Sequence, residues 1–211
     1  QSAGRMRRLI DDLLSFSRVA SQARPFAPTD LGAVAIDVVA DLDVRTAQSR
    51  GYVDVGTLPT LDADPIQMRQ LFQNLITNGL KFQKPEVPPI VEIRSEPTHI
   101  PTRGDGGTVP AWRITVADNG IGFDEKYLDR IFQVFQRLHG RDEYEGTGVG
   151  LAICRKIVDR HGGTLSATSR PGHGATFIVT LPTRQPTTDV RSDAGNARQE
   201  TDHDSDGRRR S

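Results

Sequence analysis

The sequence predicts an α/β domain, and three observations predict it. Apolar residues recur at helical spacing in several stretches, separated by short runs rich in Val, Ile and Thr that read as strands. Two glycine clusters sit at element boundaries, "DNGIG" (118–122) after a strand and "EGTGVG" (145–150) before a helix. Beyond Pro182 the chain turns polar and charge-mixed, nearly without large apolar groups. Such a tail does not offset its ordering entropy, so residues 184–211 are expected to be disordered.

The elements follow in order. "RMRRLIDDLLSFSRV" carries Met6, Leu9, Ile10, Leu13, Leu14 and Phe16 near helical spacing and predicts a helix with an apolar stripe that wants a partner. "ARPFAP" breaks it. Asp30 is placed to cap a second helix over Leu31 to Gln48. "YVDVGTLPTLDAD" predicts two short strands, and Asp64-Pro65, a cap followed by a first-turn proline, starts the next helix. "IVEIRSE" and "WRITVAD" read as strands on either side of a Pro/Gly loop, "PTHIPTRGDGGTVP". "DEKYLDRIFQVFQRL" predicts an amphipathic helix, and "LAICRKIVDRH" another that stops at Gly162-Gly163. The strands "TLSATS" and "ATFIVTL" close the domain.

Composition narrows the function. The 211 residues carry a formal net charge of zero, so nothing global points to nucleic acid or to an anionic membrane. No apolar run reaches the roughly 18 residues of a membrane span, and no signal peptide opens the chain. The one cysteine, Cys154, excludes an intramolecular disulfide and fits a reducing, cytoplasmic compartment; within "LAICRKIV" it reads as a buried helix residue. A chain that begins at Gln1 is expected to be a piece of something longer.

The chemistry is carried by three segments. In "FQNLITNGLKFQ", Asn74, Asn78 and Lys81 fall at i, i+4 and i+7 on one helical face, while Leu71, Phe72, Leu75, Ile76 and Leu80 form the other. Magnesium bound beside phosphates keeps several waters and needs few protein oxygens, so Asn78 is the candidate metal ligand. Lys81 would offset phosphate charge. Gly146, Gly148 and Gly150 allow bare N–H groups to turn toward an anion where a helix begins, although a flexible loop before a helix cap would read alike. No lysine follows the last glycine, which excludes a Walker-type loop. "DNGIG" alone is an ordinary turn signal. At a strand end it also suits ligand binding, with Asp118 accepting from a base amine.

Together these segments resemble the ATP-binding catalytic domain of sensor histidine kinases, within the superfamily that also holds gyrase, heat-shock-ninety and MutL proteins. "NLITNGLKF" is similar to that family's asparagine box, "DNGIGF" and "GTGVGLAI" to its two glycine boxes, "IFQVF" to its phenylalanine box, and "GHGATFIVTLP" to its closing segment. The run from Phe135 to Gly163 is especially like the phytochrome-type and related PAS-linked kinases. The resemblance spans about Arg5 to Pro182; one departure is Gly79, where the family usually has alanine, expected to loosen the helix by ~1 kcal/mol at most.

The resemblance implies a two-layer α/β sandwich, a mixed sheet with helices on one face, occupying residues 23–183. Residues 1–22 are similar to the end of a dimerisation and histidine-phosphotransfer helix. It implies ATP and Mg2+ as ligands. Asn74 and Lys81 would contact the phosphates, Asn78 the metal, and Asp118 with Gly120 and Gly122 the adenine. Gly146, Thr147, Gly148, Val149, Gly150 and Leu151 would form a lid over the triphosphate. Thr176 would lie near the nucleotide, and Arg137 would reach the γ-phosphate. Phe82, Tyr127, Phe132 and Phe135 are expected to pack the fold.

Hydrolytic superfamily members carry a glutamate four residues before the magnesium asparagine; here that place is Asn74, and an amide takes no proton. The implied reaction is therefore transfer of the γ-phosphoryl group to a histidine, then to an aspartate of a response regulator. The implied partners are a phosphotransfer domain, that regulator's receiver domain and, in the full-length protein, a second copy. None of His99, His139, His161, His173 or His203 stands in the acceptor's context, a histidine followed by an acid and a proline, so the acceptor is expected outside these residues. An anti-sigma-type serine kinase and a nucleotide-binding pseudokinase remain the alternatives.

Overall fold

The computed structural model describes residues 2–102, 106–138 and 146–185. Residues 186–211 of the tail expected to be disordered, with His203, and the whole loop from His139 to Glu145 lie outside the described residues. A long helix, α1 (Ser2–Ser21), precedes β1 (Ala27–Asp30), α2 (Leu31–Asp41), α3 (Asp43–Gln48), β2 (Tyr52–Val55) and β3 (Thr60–Ala63). Helix α4 (Pro65–Lys81) leads to β4 (Ile90–Pro101) and β5 (Thr108–Asp118). A 3₁₀ turn (Glu125–Tyr127), α5 (Leu128–Ile131), α6 (Gly150–Arg160), β6 (Thr164–Ser169) and β7 (Ala175–Pro182) complete the order.

The main sheet runs β2-β4-β5-β7-β6 and is mixed, since β2 joins β4 in parallel and the other pairs are antiparallel. β1 and β3 form a separate antiparallel pair. Alternation along the strands assigns one face of the sheet to the core. Val91, Ile93, Ile114, Val116, Phe177, Val179, Leu165 and Ala167 are buried beneath the helices, and Thr115, Ile178, Ser166 and Thr168 lie on the other side. Helices α4 and α6 cover that face with Leu71, Phe72, Leu75, Ile76, Ile153, Ile157 and Val158. The fold is the expected two-layer α/β sandwich.

Local chemistry starts α4. The Asp64 carboxylate accepts from the Ile66 and Gln67 N–H groups at 3.1 and 3.3 Å, with Pro65 in the first turn. The same buried carboxylate accepts from the Arg24 N–H at 2.8 Å and lies 3.3 Å from Arg160 Nη1. Its charge is thus matched by a cation and by three N–H groups, the arrangement a buried carboxylate requires. His161, which ends α6, is buried against this knot. Its Nδ1 lies 2.8 Å from the Ile157 carbonyl and its Nε2 accepts from the Asp64 N–H at 3.1 Å. Those two bonds fix the neutral tautomer with the proton on Nδ1.

Four elements differ from the sequence reading. The helix expected over Leu31 to Gln48 breaks at Leu42, and Asp43 opens the short α3 with an acid in its first turn. β1 falls in a stretch that reads as a helix breaker and no more. The loop expected between β4 and β5 is largely strand, with Pro97 opposite Trp112 and Pro110 opposite His99. Both prolines lie where their strand has one neighbour, β2 pairing only as far as Ile93 and β7 only from Ala111, so a missing donor is tolerated. The helix expected over Asp124 to Leu138 ends at Ile131. Phe135 instead takes φ +65° and donates its N–H to the Gly148 carbonyl at 3.0 Å, a long-range bond that replaces a helical one.

Gly79 is a fifth expectation that changes. It is buried where α4 crosses β4, and a Cβ there would stand 2.6 Å from Val91 Cγ2 and 3.3 Å from Asp118 Cβ. Glycine is a contact residue here, not a weakness of the helix. Gly79→Ala gains about 1 kcal/mol of helix propensity but overpacks a rigid β-branched neighbour, which costs about 1–3 kcal/mol. We expect a net loss of stability in urea unfolding, and recovery when Val91→Ala is added.

Candidate functional site

A cavity of about 410 Å³ opens between α4, the C-terminal end of β5, the segment before α6 and the first turn of α6. α4 supplies Asn74, Thr77, Asn78 and Lys81, because its apolar face is turned to the sheet and its polar face is left upward. Phe82, Ile131, Leu138, Ile153 and Phe177 add an apolar floor and walls. Of the residues singled out in the sequence, Asn74, Asn78, Lys81, Asp118, Gly122, Arg137, Gly146, Thr147, Gly148, Gly150 and Leu151 all line it.

One end is built around Asp118. Its Oδ1 accepts from the Gly120 N–H at 2.9 Å and the Ala175 N–H at 3.2 Å. Burial pushes its pKa above the ordinary carboxylate value, and those two N–H bonds hold it back. A half-satisfied carboxylate at a largely apolar cavity end has capacity left to accept from a ligand N–H. Glycines 120 and 122 make the close packing possible, since a Cβ would meet the carbonyl oxygens of Phe82 at 2.3 Å and Arg170 at 2.2 Å.

The other end is cationic and rich in bare N–H groups. α6 begins after Val149 with no side-chain cap, so its first N–H groups are not taken up by a capping side chain. Gly148 takes φ +78°, and a Cβ there would stand 2.7 Å from the Gln136 carbonyl oxygen, which reserves the position for glycine. The Lys81 ammonium sits against Gly146, 2.9 Å from where its Cβ would be, and 4.2 Å from the Phe82 ring centroid. Arg137 Nη1 donates to the Gly146 carbonyl at 2.8 Å. An uncapped helix start beside a lysine and an arginine is an arrangement that can hold an anion.

Three expected residues lie elsewhere. Gly120 is buried beneath the cavity and acts through its N–H. Val149 is wholly buried, its side chain in the core. Thr176 pairs with Ala117 and Thr168 on the far face of the sheet, so strand alternation places Ala175, not Thr176, beside Asp118. Phe82, expected to pack the fold, lines the cavity, whereas Tyr127, Phe132 and Phe135 do not. Asn74 also does more than face a ligand: its Nδ2 lies 3.4 Å from the Gly150 carbonyl and ties α4 to the start of α6. Sequence reasoning missed Asp12 and Ser15, which α1 brings to the cavity edge; no local motif marks a contact across 135 positions. Cys154 is the inert thiol expected, fully buried, with burial pushing it up to about 12.

An apolar slot ending in a half-buried carboxylate, joined to a glycine-lined cationic helix start, defines a nucleotide-binding α/β domain. Comparison with known proteins gives the family. Residues 63–185 match the family described as histidine kinase-, DNA gyrase B-, and HSP90-like ATPase, and the chain belongs to it. The chain is 43% identical over 177 residues to phytochrome-like protein Cph1 of Synechocystis sp. and 44% identical over 177 residues to cyanobacterial phytochrome A of Nostoc sp. Each match covers 84% of this chain and 22% of the relative. The chain thus spans about a fifth of the length of these relatives. Among solved structures, full-length ShkA in complex with AMPPNP is 27% identical with a TM-score of 0.63, over 82% of this chain and 35% of that one. The catalytic domain of histidine kinase ThkA, at 23% identity and a TM-score of 0.60 over 77% of this chain and 100% of that one, shares the fold. The chain is also 32% identical over 184 residues, 82% of its length and 23% of that relative, to the circadian input-output histidine kinase CikA of Synechococcus elongatus.

The buried histidine gives a pH prediction. Burial lowers the His161 pKa below its ordinary 6.5, so the unfolded chain takes up the proton first as pH falls. Its contribution to stability is complete above 6.5 and is lost as pH falls from there toward the folded-state value. Asp118, raised by burial, acts with the opposite sign at more acidic pH. Urea unfolding between about pH 7.5 and about pH 5.5 should show a falling free energy. His161→Gln, less stable at both ends, should show a shallower fall.

Proposed function

We propose that the chain binds Mg-ATP and transfers its γ-phosphoryl group to a histidine on another domain, for relay to a response-regulator aspartate. The observation that carries this reading is the single cavity edge on which Asn74, Asn78 and Lys81 of α4 face the uncapped start of α6, with Asp118 at the opposite end. Asp118 accepts from the adenine amine. The N–H groups of the glycine segment and of α6, with Lys81 and Arg137, hold the phosphates.

The donor set fits magnesium of one kind. Among the described residues no group of three His, Cys, Asp or Glu side chains stands ready to hold a metal. The cavity offers one well-placed amide oxygen on Asn78 beside a phosphate site, which suits an ion held mainly by phosphates and water. When bound, magnesium neutralises charge on the phosphates.

Asn74 decides between transfer and hydrolysis. An amide is no general base, and its Nδ2 is engaged toward the Gly150 carbonyl. Water in the cavity is not activated by this residue, and the γ-phosphoryl group persists for a stronger nucleophile. The imidazole comes from a phosphotransfer domain of the parent protein. His99 and His173 sit on β4 and in the β6–β7 turn, and His161 is buried with both ring nitrogens engaged, so none of the three is placed at the cavity. The parent works as a homodimer in the cytoplasm, with α1 part of the dimerisation helix. No described helix is long and apolar enough to cross a membrane.

Asn78→Ala removes the amide oxygen from a half-exposed helical position and should leave the fold intact. Calorimetric titration with a non-hydrolysable ATP analogue should show magnesium-dependent affinity lost, by roughly tenfold or more for one ligand bond to a charged partner. Unchanged affinity would mean that the metal is held elsewhere.

A further inference from the structure

Helix α1 is docked on the domain by one face. Val19 is 3% exposed, and its carbonyl accepts from Gln67 Nε2 at 2.7 Å. The Phe16 carbonyl accepts from Lys156 Nζ at 2.9 Å, and that ammonium stands 4.3 Å from the Phe16 ring centroid. Ser15 Oγ accepts from Gln70 Nε2 at 2.6 Å. Residues 12, 15, 16 and 19 share this face by helical spacing. Asp12 is therefore carried to the cavity edge, where its carboxylate accepts from the Thr147 hydroxyl, between Gly146 and Gly148.

This places a negative charge at the end of the cavity that is built to receive one. The Lys81 ammonium and the uncapped start of α6 line the same cavity as Asp12. We propose that Asp12 is a resident anion of the phosphate subsite, so that docking of α1 and binding of the nucleotide's phosphates oppose each other. The inference rests on the nucleotide-binding reading and adds its regulation. A triphosphate brings several negative charges toward a carboxylate already there and competes for the Thr147 hydroxyl. Like charges that line one cavity repel, and the repulsion is relieved when α1 moves away. By linkage, whatever strengthens α1 docking weakens nucleotide binding by the same factor, and the nucleotide in turn loosens α1. A ligand without phosphates leaves the latch shut.

The test uses the whole 211-residue chain and its Asp12→Asn variant, which keeps an oxygen that can accept from Thr147 and removes only the charge. In calorimetric titration with magnesium, a non-hydrolysable ATP analogue should bind the variant roughly three- to tenfold more tightly, the order of effect of removing one unit charge from the cavity. Adenosine should bind both proteins equally. Equal or weaker binding of the ATP analogue by Asp12→Asn overturns the latch, as does a matching gain for adenosine. If the unsubstituted chain binds no ATP analogue at all, the nucleotide-site reading falls and takes the latch with it, an outcome distinct from failure of Asp12 alone. A second readout follows the helix itself. Nitroxides at Ile10→Cys and Asp159→Cys, with Cys154 buried and inert, should report one short distance without nucleotide and a longer, broader distribution with the Mg-ATP analogue. A distance unmoved at saturation overturns the proposal.

Discussion

The crossing of α4 over β4 and β5 sets the geometry on which everything else in the site depends. At Gly79 the helix comes so near the sheet that Val91 and the Cβ of Asp118 fill the space a side chain would need. That contact sets the height of α4 above the sheet and its rotation about its own axis. Asn74 and Asn78, on the same turns, are therefore held above the strand end that carries Asp118, and Lys81 is held against Gly146. The Asp64 cap and its partner Arg160 set where α4 begins, and the apolar side chains from Leu71 to Leu80 set which face is buried. A shift of one residue in the register of α4 on the sheet, a rotation of about 100°, would turn its amides toward the core.

The site stores unfavourable features that a ligand can relieve. α6 starts without a side-chain cap, and Asp118 is a carboxylate in a place that disfavours its charge. Neither is costly enough to unfold the domain, because Gly120 and Ala175 donate to Asp118 and the helix start is open to solvent. Both are better satisfied with an anion at one end and a hydrogen-bond donor at the other. On the proposed reading, function here is held slightly out of balance with stability, and a nucleotide would restore the balance at both ends.

Much of this was legible in the sequence because local rules govern it. The cap at Asp64-Pro65, the 3.6-residue spacing of α4 and the glycine run before α6 each act within a few residues, and the structure follows them. The errors arise where distant groups decide. Phe135 leaves the helical pattern because Gly148 offers it a carbonyl, and β4 and β5 continue through prolines because the sheet leaves those edges unpaired. Thr176 and Ala175 are adjacent in sequence, and only the register of β7 on β5 tells which faces the cavity. Gly79 reads as a helix weakness until Val91 is seen beside it. Asp12 carries no local mark at all, since the hydroxyl it meets, that of Thr147, lies 135 positions away.

On the proposed reading the cavity holds ATP for transfer to an imidazole instead of water. The most direct measurement supplies this chain, Mg2+ and γ-labelled ATP with a separately produced dimerisation and phosphotransfer domain from a similar kinase. The expected outcome is acid-labile label on the histidine of that domain, none on this chain, and little free phosphate. The reaction should be slow, because a bimolecular encounter lacks the effective concentration of a tether. Acid-stable label on this chain, or rapid release of phosphate with no labelled histidine, would contradict it.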